Sequence, residues 1–296
     1  MGMRERRPNG DRRDIHVRGV DSYDRLLGHL AGLESILLAY SGGVDSTLLM
    51  AAAHDAVGDR ALAVTACSLT YPARERHAAM DLARAVGIRH RLIESRELDD
   101  PSFQANPVNR CFYCSRRWFR ELRAPGDREG LVTVVDGSNA DDRSDVRPGR
   151  LAGREYGVRS PLIELGWGKD VVRRLARERG LPNWNQPAGA CLASRIPFGE
   201  AITPERLGRI AATEAALQTQ GFRVIRVRDH GHLARIELEL DDAKRVLDPE
   251  IREAIVTACV ARGYTFVCLD LAGYRTGAMN EALPPEAIAE FREGTP

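Results

Sequence analysis

Three groups of residues in this 296-residue chain have types and spacings suited to chemistry. The first is Ser41-Gly42-Gly43-Val44-Asp45-Ser46-Thr47, between the apolar run Ser35–Tyr40 and an apolar helical pattern reaching Val57. Glycines let a backbone turn tightly and aim several N–H groups at one point, and a helix start adds partial positive charge. With the hydroxyls of Ser41, Ser46 and Thr47, the segment reads as a cradle for phosphate. It lacks the Gly-x-x-x-x-Gly-Lys spacing of loops that transfer a γ-phosphate, and no lysine stands near it in sequence.

The second group is thiols. Cys111-Phe-Tyr-Cys114 puts two of them on one side of a helical turn, and Cys191 sits in the loop Ala188–Arg195. In an intracellular chain of this size such groupings point to metal, cluster or redox use rather than to a disulfide framework. Three thiolates could leave one iron of a cubane cluster without a protein ligand, open to substrate or an extra sulfide. Zinc, with His230 or His232 as a fourth ligand, or a redox pair, is the alternative. Cys259 and Cys268 read as core residues. Cys67 reads as packing at a strand end, within reach of an adenine ring if one binds there.

The third group is arginines. Arg226 and Arg228 alternate with Val227 on a strand and so share a face. A pair of forked guanidinium groups can grip a phosphate or carboxylates. Arg147, Arg195 and Arg275 lie in loops with Gly or Pro close by and are candidates to join them, with Glu214 and Glu237 as carboxylate partners.

The elements that must hold these groups follow from periodicity. Strands are expected at Ser35–Tyr40, Ala61–Ala66, His90–Glu94 and Leu131–Asp136, and helices from the Ser41–Thr47 loop to Val57 and at Ala73–Val86, Cys111–Leu122 and Lys169–Arg179. Short apolar strands alternating with helices predict an α/β fold with a doubly wound parallel sheet, whose ligand sits beyond the carboxyl ends of the strands. Past Phe198 the pattern becomes a compact α+β unit. A helix begins at Thr203 and Pro204 and reaches Gln220, strands are expected at Phe222–Arg228 and Leu233–Leu240 around an Asp229-His-Gly231 turn, and a helix Pro249–Arg262 precedes a last strand Thr265–Leu271. The organisation is therefore read as a mobile arm over 1–19, a nucleotide domain over 20–199, and a smaller α+β substrate-binding and oligomerisation domain over 200–296. Leu181–Gly199 forms the junction, where ligand sites are common.

Composition narrows the class. Hydrophobic residues make up 43% of the chain, enough for a folded core and too many for a disordered one. No apolar run approaches the ~20 residues of a membrane helix, and Met1–Asp14 is charged rather than signal-like, so a cytoplasmic protein with no membrane partner is expected. Net charge is +1, but residues 201–296 carry twelve basic against fifteen acidic groups. That end of the chain lacks the basic footprint of a nucleic-acid binder.

The heptapeptide Ser41–Thr47 matches the SGGxDS loop of the PP-loop ATP pyrophosphatase superfamily. Further stretches resemble the LarE family of ATP-dependent sulfur transferases, which build the nickel-pincer nucleotide of lactate racemase. These stretches are Asp136–Asp142, Asp145–Gly149, Asn183–Asn185, Ala193–Gly199, Val224–Arg228 with Ala234–Leu238, and Leu269–Asn280. The resemblance covers about residues 22–292. It implies that ATP with Mg²⁺ adenylates a carboxylate of pyridinium-3,5-biscarboxylic acid mononucleotide, and that a sulfur nucleophile then displaces AMP to leave a thiocarboxylate. Ser41, Gly42, Gly43, Asp45, Ser46 and Thr47 would hold ATP, with a second contact from Gly137 and Asp142. Arg226 and Arg228 would hold the substrate phosphate, with Ser194, Arg195 and Glu214 lining the site.

One departure bears on the sulfur source. The better-known family members sacrifice a single cysteine, which aligns with Ala190, and lack thiols at 111 and 114. The chain is similar instead to a branch holding a [4Fe-4S] cluster on Cys111, Cys114 and Cys191, resupplied by a sulfide or persulfide donor. Cys191 as a sacrificial donor is the alternative. The rivals are a cluster-bearing tRNA-thiolating PP-loop enzyme, an amide-forming PP-loop ligase, and a non-catalytic nucleotide sensor. A homo-oligomer is expected.

Overall fold

The computed structural model describes residues 21–143, 148–187, 189–275 and 277–283. The arm expected over 1–19, and Arg147, lie outside the described residues.

Four parallel strands form the larger sheet, in the order β3-β2-β1-β4: β1 (Ile36–Ala39), β2 (Ala61–Cys67), β3 (Arg89–Glu94) and β4 (Thr133–Asp136). The two inner strands read ILLA and ALAVTAC because both their faces are covered, the signature of a parallel sheet between helical layers. On one face the helix Val44–Val57 is apolar nearly all round. It buries Leu48, Leu49 and Met50 between the sheet and an outer layer that supplies Leu26, Leu30, Trp167, Val172 and Leu175. On the other face, the helix Arg110–Arg128 packs Phe112, Phe119 and Leu122 against Leu37, Leu62, Val64 and Val134. The chain winds outward through β1, β2 and β3, then returns to place β4 on the other side of β1. That reversal opens a crevice at the carboxyl ends of β1 and β4, the switch point where open α/β sheets take their ligands.

The second sheet has the order β5-β6-β7. β5 (Ile225–His230) pairs antiparallel with β6 (Leu233–Leu238), and β6 pairs parallel with β7 (Phe266–Leu269). The helix Pro249–Val260 makes the crossover and buries Ile255 and Cys259 against Ile225, Val227 and Ile236. The helix Pro204–Gln218 starts as expected, with Thr203 accepting a hydrogen bond from Arg206 N at 3.3 Å and Pro204 at the first position. One face of this helix carries Leu207 and Ile210 into a separate cluster with Phe103, Leu192, Ala193 and Ile196. The junction Leu181–Gly199 is therefore packed structure in its second half, not a loose tether.

Several boundaries move. The helix expected to stop at Leu122 continues to Arg128, and β4 begins at Thr133 because Leu131 N bonds back to Gly126 O and Val132 N to the Ser35 side chain, each at 2.9 Å. Asp229 and His230 extend β5, and the turn falls on Gly231, whose φ of 71° suits glycine. Cys259 is buried as expected, but Cys268 is exposed. It lies on β7, an edge strand whose alternation leaves Phe266 and Cys268 on an uncovered face.

Candidate functional site

The phosphate cradle sits where β1 feeds the helix Val44–Val57. Gly43 is the N-cap and among the described residues no side chain caps the helix, so its first-turn backbone N–H groups are left for an anion at that end. Gly42 adopts φ +74°, and a Cβ there would lie 2.8 Å from Ala79 Cβ, so only glycine fits the turn. Ser46 Oγ ties the loop to itself: it accepts from Ser41 N at 3.3 Å, donates to Gly43 O at 3.1 Å and lies 3.1 Å from Ser41 Oγ. Tyr71 donates its hydroxyl to Ser41 O, and burial pushes that phenol's pKa up, which keeps it a donor.

Residues distant in sequence complete the cradle. Gly137, the first residue after β4, packs directly on Ser46; a Cβ there would meet Ser46 N at 2.8 Å and Ser46 Cα at 2.9 Å. Asp142 is buried and accepts from Asn139 N at 2.9 Å. Asn139 in turn donates to Asp45 at 3.4 Å. Asp45 also pairs with Lys169 across 124 positions of sequence, so the loop that has no lysine beside it in sequence acquires one through the fold. Asn183 donates from its amide to Gly42 O and Thr47 Oγ1, each at 3.0 Å, and thereby pins the turn to the start of the helix.

From Asn183 the junction runs towards the thiols. Gly189 passes close to Glu75, whose Oε2 would meet a Cβ there at 3.0 Å, and Leu192 N donates to Thr70 O at 2.7 Å. Cys191 is thus held beside the loop that follows β2, and it is exposed. Cys111 and Cys114 are the second and fifth residues of the helix Arg110–Arg128; Cys111 is exposed and Cys114 partly buried. Cys114 has its pKa pushed well above an ordinary thiol by burial, then by Glu97, Cys191, Cys111 and Glu121, so the other two thiols both lie within its electrostatic reach. Glu97 is buried and receives hydrogen bonds from Ser68 and from Thr70 (2.6 Å), while among the described residues its second oxygen has no hydrogen-bond partner.

The donor set around this space is three soft thiols, which suits an iron–sulfur group better than a hard cation. Among the described residues no three His, Cys, Asp or Glu side chains close on a single metal ion. His230 is hydrogen-bonded to Arg235 at 3.4 Å, and burial followed by Arg235 lowers its pKa.

The arginines adjoin the thiols through Arg195. This guanidinium donates to Ala190 O at 2.7 Å, to Cys191 O at 3.0 Å and to Ser194 Oγ at 3.1 Å, and forks onto Glu214 at 2.9 and 3.0 Å. Burial works against its charge, and Glu214 restores it. Glu214 also accepts from Val227 N at 3.0 Å, which ties the helix Pro204–Gln218 to β5. Arg228 donates to Ser194 O at 3.0 Å and to Glu237 at 2.6 Å. Arg226, on the same strand face, stacks over Tyr274 at 5.0 Å; burial, then neighbouring Arg195, lowers its pKa. Hydrogen bonds therefore link Ser194, Arg195, Glu214 and Arg228 to Cys191, and Arg226 shares the strand face of Arg228. Arg275 pairs instead with Glu281 at 2.8 Å, and Cys67 accepts from Arg76 at 3.3 Å.

Sequence reasoning missed Lys169, Glu97 and Glu75, which carry no local motif. Asn183 stood in a stretch noted for its resemblance, but nothing local showed its two bonds.

No protein-family model matches the chain. It is 40% identical over 251 residues, 85% of its length and 94% of the relative's, to an uncharacterised protein of Synechocystis sp.. It is 34% identical over 268 residues, 90% of its length and 96% of the relative's, to pyridinium-3,5-bisthiocarboxylic acid mononucleotide synthase of Lactiplantibacillus plantarum. The chain belongs to the LarE family. Outside that family, it is 26% identical over 211 residues, 66% of its length and 65% of the relative's, to a subunit of the glutamine-hydrolyzing GMP synthase of Halobacterium salinarum. That likeness and the parallel sheet place the LarE-family fold seen here in the PP-loop superfamily.

Proposed function

We propose that this protein is an ATP-dependent sulfur transferase acting on pyridinium-3,5-biscarboxylic acid mononucleotide. The observation that carries the reading is the set of bonds made by Asn183, Leu192 and Arg195. Asn183 bonds the phosphate loop, Leu192 N holds Cys191 at the loop after β2 within electrostatic reach of Cys114, and Arg195 joins Cys191 to the arginine face. Nucleotide, sulfur and acid substrate would thus meet along one stretch of chain.

In this reading residues 20–199 bind ATP and 200–296 bind the acid. The uncapped helix start at Gly43, with Ser41, Ser46 and Thr47, receives the β- and γ-phosphates of ATP–Mg²⁺, while Asp45, Gly137 and Asp142 shape the opposite wall. Arg226 and Arg228 hold the substrate phosphate, and Ser194 with Arg195 orient a carboxylate towards the α-phosphorus. The carboxylate oxygen bonds to that phosphorus, the bond to the bridging oxygen breaks, and pyrophosphate leaves. Sulfide sulfur then bonds to the acyl carbon, the carbon–oxygen bond breaks, and AMP leaves with that oxygen, giving a thiocarboxylate. Adenylation matters because it converts an oxide that will not leave into a phosphate ester that will. A [4Fe-4S] cluster on Cys111, Cys114 and Cys191 would supply a position for that sulfide, since three ligands leave one iron open. The exposure of Cys191 beside Arg195 favours one alternative source, the cysteine's own sulfur.

Mass spectrometry of protein and nucleotide after anaerobic incubation with ATP, Mg²⁺, sulfide and the biscarboxylate tests this. Thiocarboxylate with unchanged protein mass is the expected result. Product with dehydroalanine at Cys191 supports the sacrificial route, and ATP turnover without sulfur-bearing product rejects both.

A further inference from the structure

The candidate substrate, whose class rests on the function proposed above, carries charges of both signs: a phosphate and carboxylates, and a ring nitrogen that is permanently cationic. The arginine face explains only the anions. Recognition of the ring cation would need a carboxylate of its own, one not already spent on an arginine. Glu214 and Glu237 do not serve, because Glu214 is consumed by Arg195 and Val227 N, and Glu237 by Arg228 and Arg235.

Glu75 is differently placed. It lies in the first turn of the helix Ala73–Val86, partly buried, and among the described residues its carboxylate makes no hydrogen bond and no ion pair. Its Oε2 faces the backbone of Gly189, two residues before Cys191, so closely that a Cβ on Gly189 would lie 3.0 Å away. One turn along the same helix, Ala79 packs against Gly42 of the phosphate loop, where an added Cβ would lie 2.8 Å from Ala79 Cβ. The Glu75 carboxylate therefore lies beside the Gly189–Cys191 stretch that Arg195 binds, on a helix that also packs against the phosphate loop. Burial raises its pKa, the mark of a carboxylate whose desolvation its own surroundings do not fully offset.

We propose that Glu75 is the specificity-determining residue that recognises the ring cation of the substrate, selecting a pyridinium mononucleotide over a neutral ring carrying the same phosphate and carboxylate. Gly189 belongs to the same device, since a side chain there would fill the space against the carboxylate. The selection is electrostatic, so it acts on affinity and not on the leaving of pyrophosphate or AMP.

Nicotinic acid mononucleotide and its 1,4-dihydro form make a matched pair of probes, alike in phosphate and carboxylate and different in ring charge. Equilibrium binding to the intact protein is expected to favour the oxidised form about tenfold, and Glu75→Gln to abolish that preference by weakening the oxidised form alone. Glu75→Asp, which keeps the charge on a shorter stem, is expected to retain part of it. Circular dichroism of each variant confirms that folded protein is being compared. A wild-type protein that binds both forms equally, or a Glu75→Gln variant that keeps the preference, overturns the role of Glu75 and leaves the proposed function standing. Failure of both forms to bind the wild type overturns the substrate class, and this inference with it.

Discussion

Gly137 lies against Ser46 so closely that one added methyl group would come within 2.8 Å of the Ser46 backbone nitrogen. The end of β4 and the start of the helix after β1 are thereby locked at the width of a glycine. Both neighbours are backbone or near-backbone atoms, so nothing flexible can yield. Gly137→Ala is expected to push the phosphate loop aside, lowering thermal stability by about 1–3 kcal/mol as an overpacked core does. Pyrophosphate release should fall more than stability does, and comparing turnover with denaturant midpoints checks that ordering.

Asn183 tests whether the junction builds the ATP site. Its amide satisfies Gly42 O and Thr47 Oγ1 in a buried setting. Asn183→Ala leaves both acceptors without that donor, at about 1–3 kcal/mol. ATP affinity, measured by titration calorimetry, should drop, while binding of the pyridinium nucleotide should change little.

The thiols make a separate prediction. Protein isolated without oxygen should contain iron and acid-labile sulfide, and Cys111→Ala, Cys114→Ala and Cys191→Ala should each remove most of both. Cys268→Ala, on the uncovered face of β7, should remove neither. Full iron content in all three site variants would reject the assignment.

Arg195 and Glu214 form a forked ion pair with side chains 1% and 7% exposed. Losing one partner strands the other, so Glu214→Ala is expected to cost about 3–5 kcal/mol, and Arg195→Met with Glu214→Leu less than the sum of the single changes. Urea denaturation of the three variants measures it.

Asp229 sets an acid limit on the smaller sheet. Burial opposes its ionisation, but Arg209, Gly231 N and Arg206 outweigh that and hold its pKa below the ordinary 3.8. A carboxylate depressed on folding contributes stability that is complete above the unfolded value and is lost as pH falls through the folded one. Stability should therefore decline below about pH 4, and Asp229→Asn should flatten the decline while lowering stability at neutral pH. Denaturant midpoints across pH read both effects.

Local pattern settled a good deal of this molecule. The strand, glycine turn and apolar helix around Ser41–Thr47 are written in consecutive residues, as are the cap at Thr203 and the shared face of Arg226 and Arg228, because each depends only on neighbours within a turn or two of chain. The edge position of Cys268 was not legible, since strand alternation says that one face is covered but not whether the other is. Lys169 on Asp45, Asn183 on Thr47, Glu97 behind Cys114 and the commitment of Arg195 to Glu214 join residues from 17 apart to more than a hundred apart, a spacing no periodicity encodes. Sequence therefore determined which chemical groups the protein has. Only the folding of helices onto both faces of the sheet, and the bonds of Asn183 and Arg195 to partners distant in sequence, decided which of them meet.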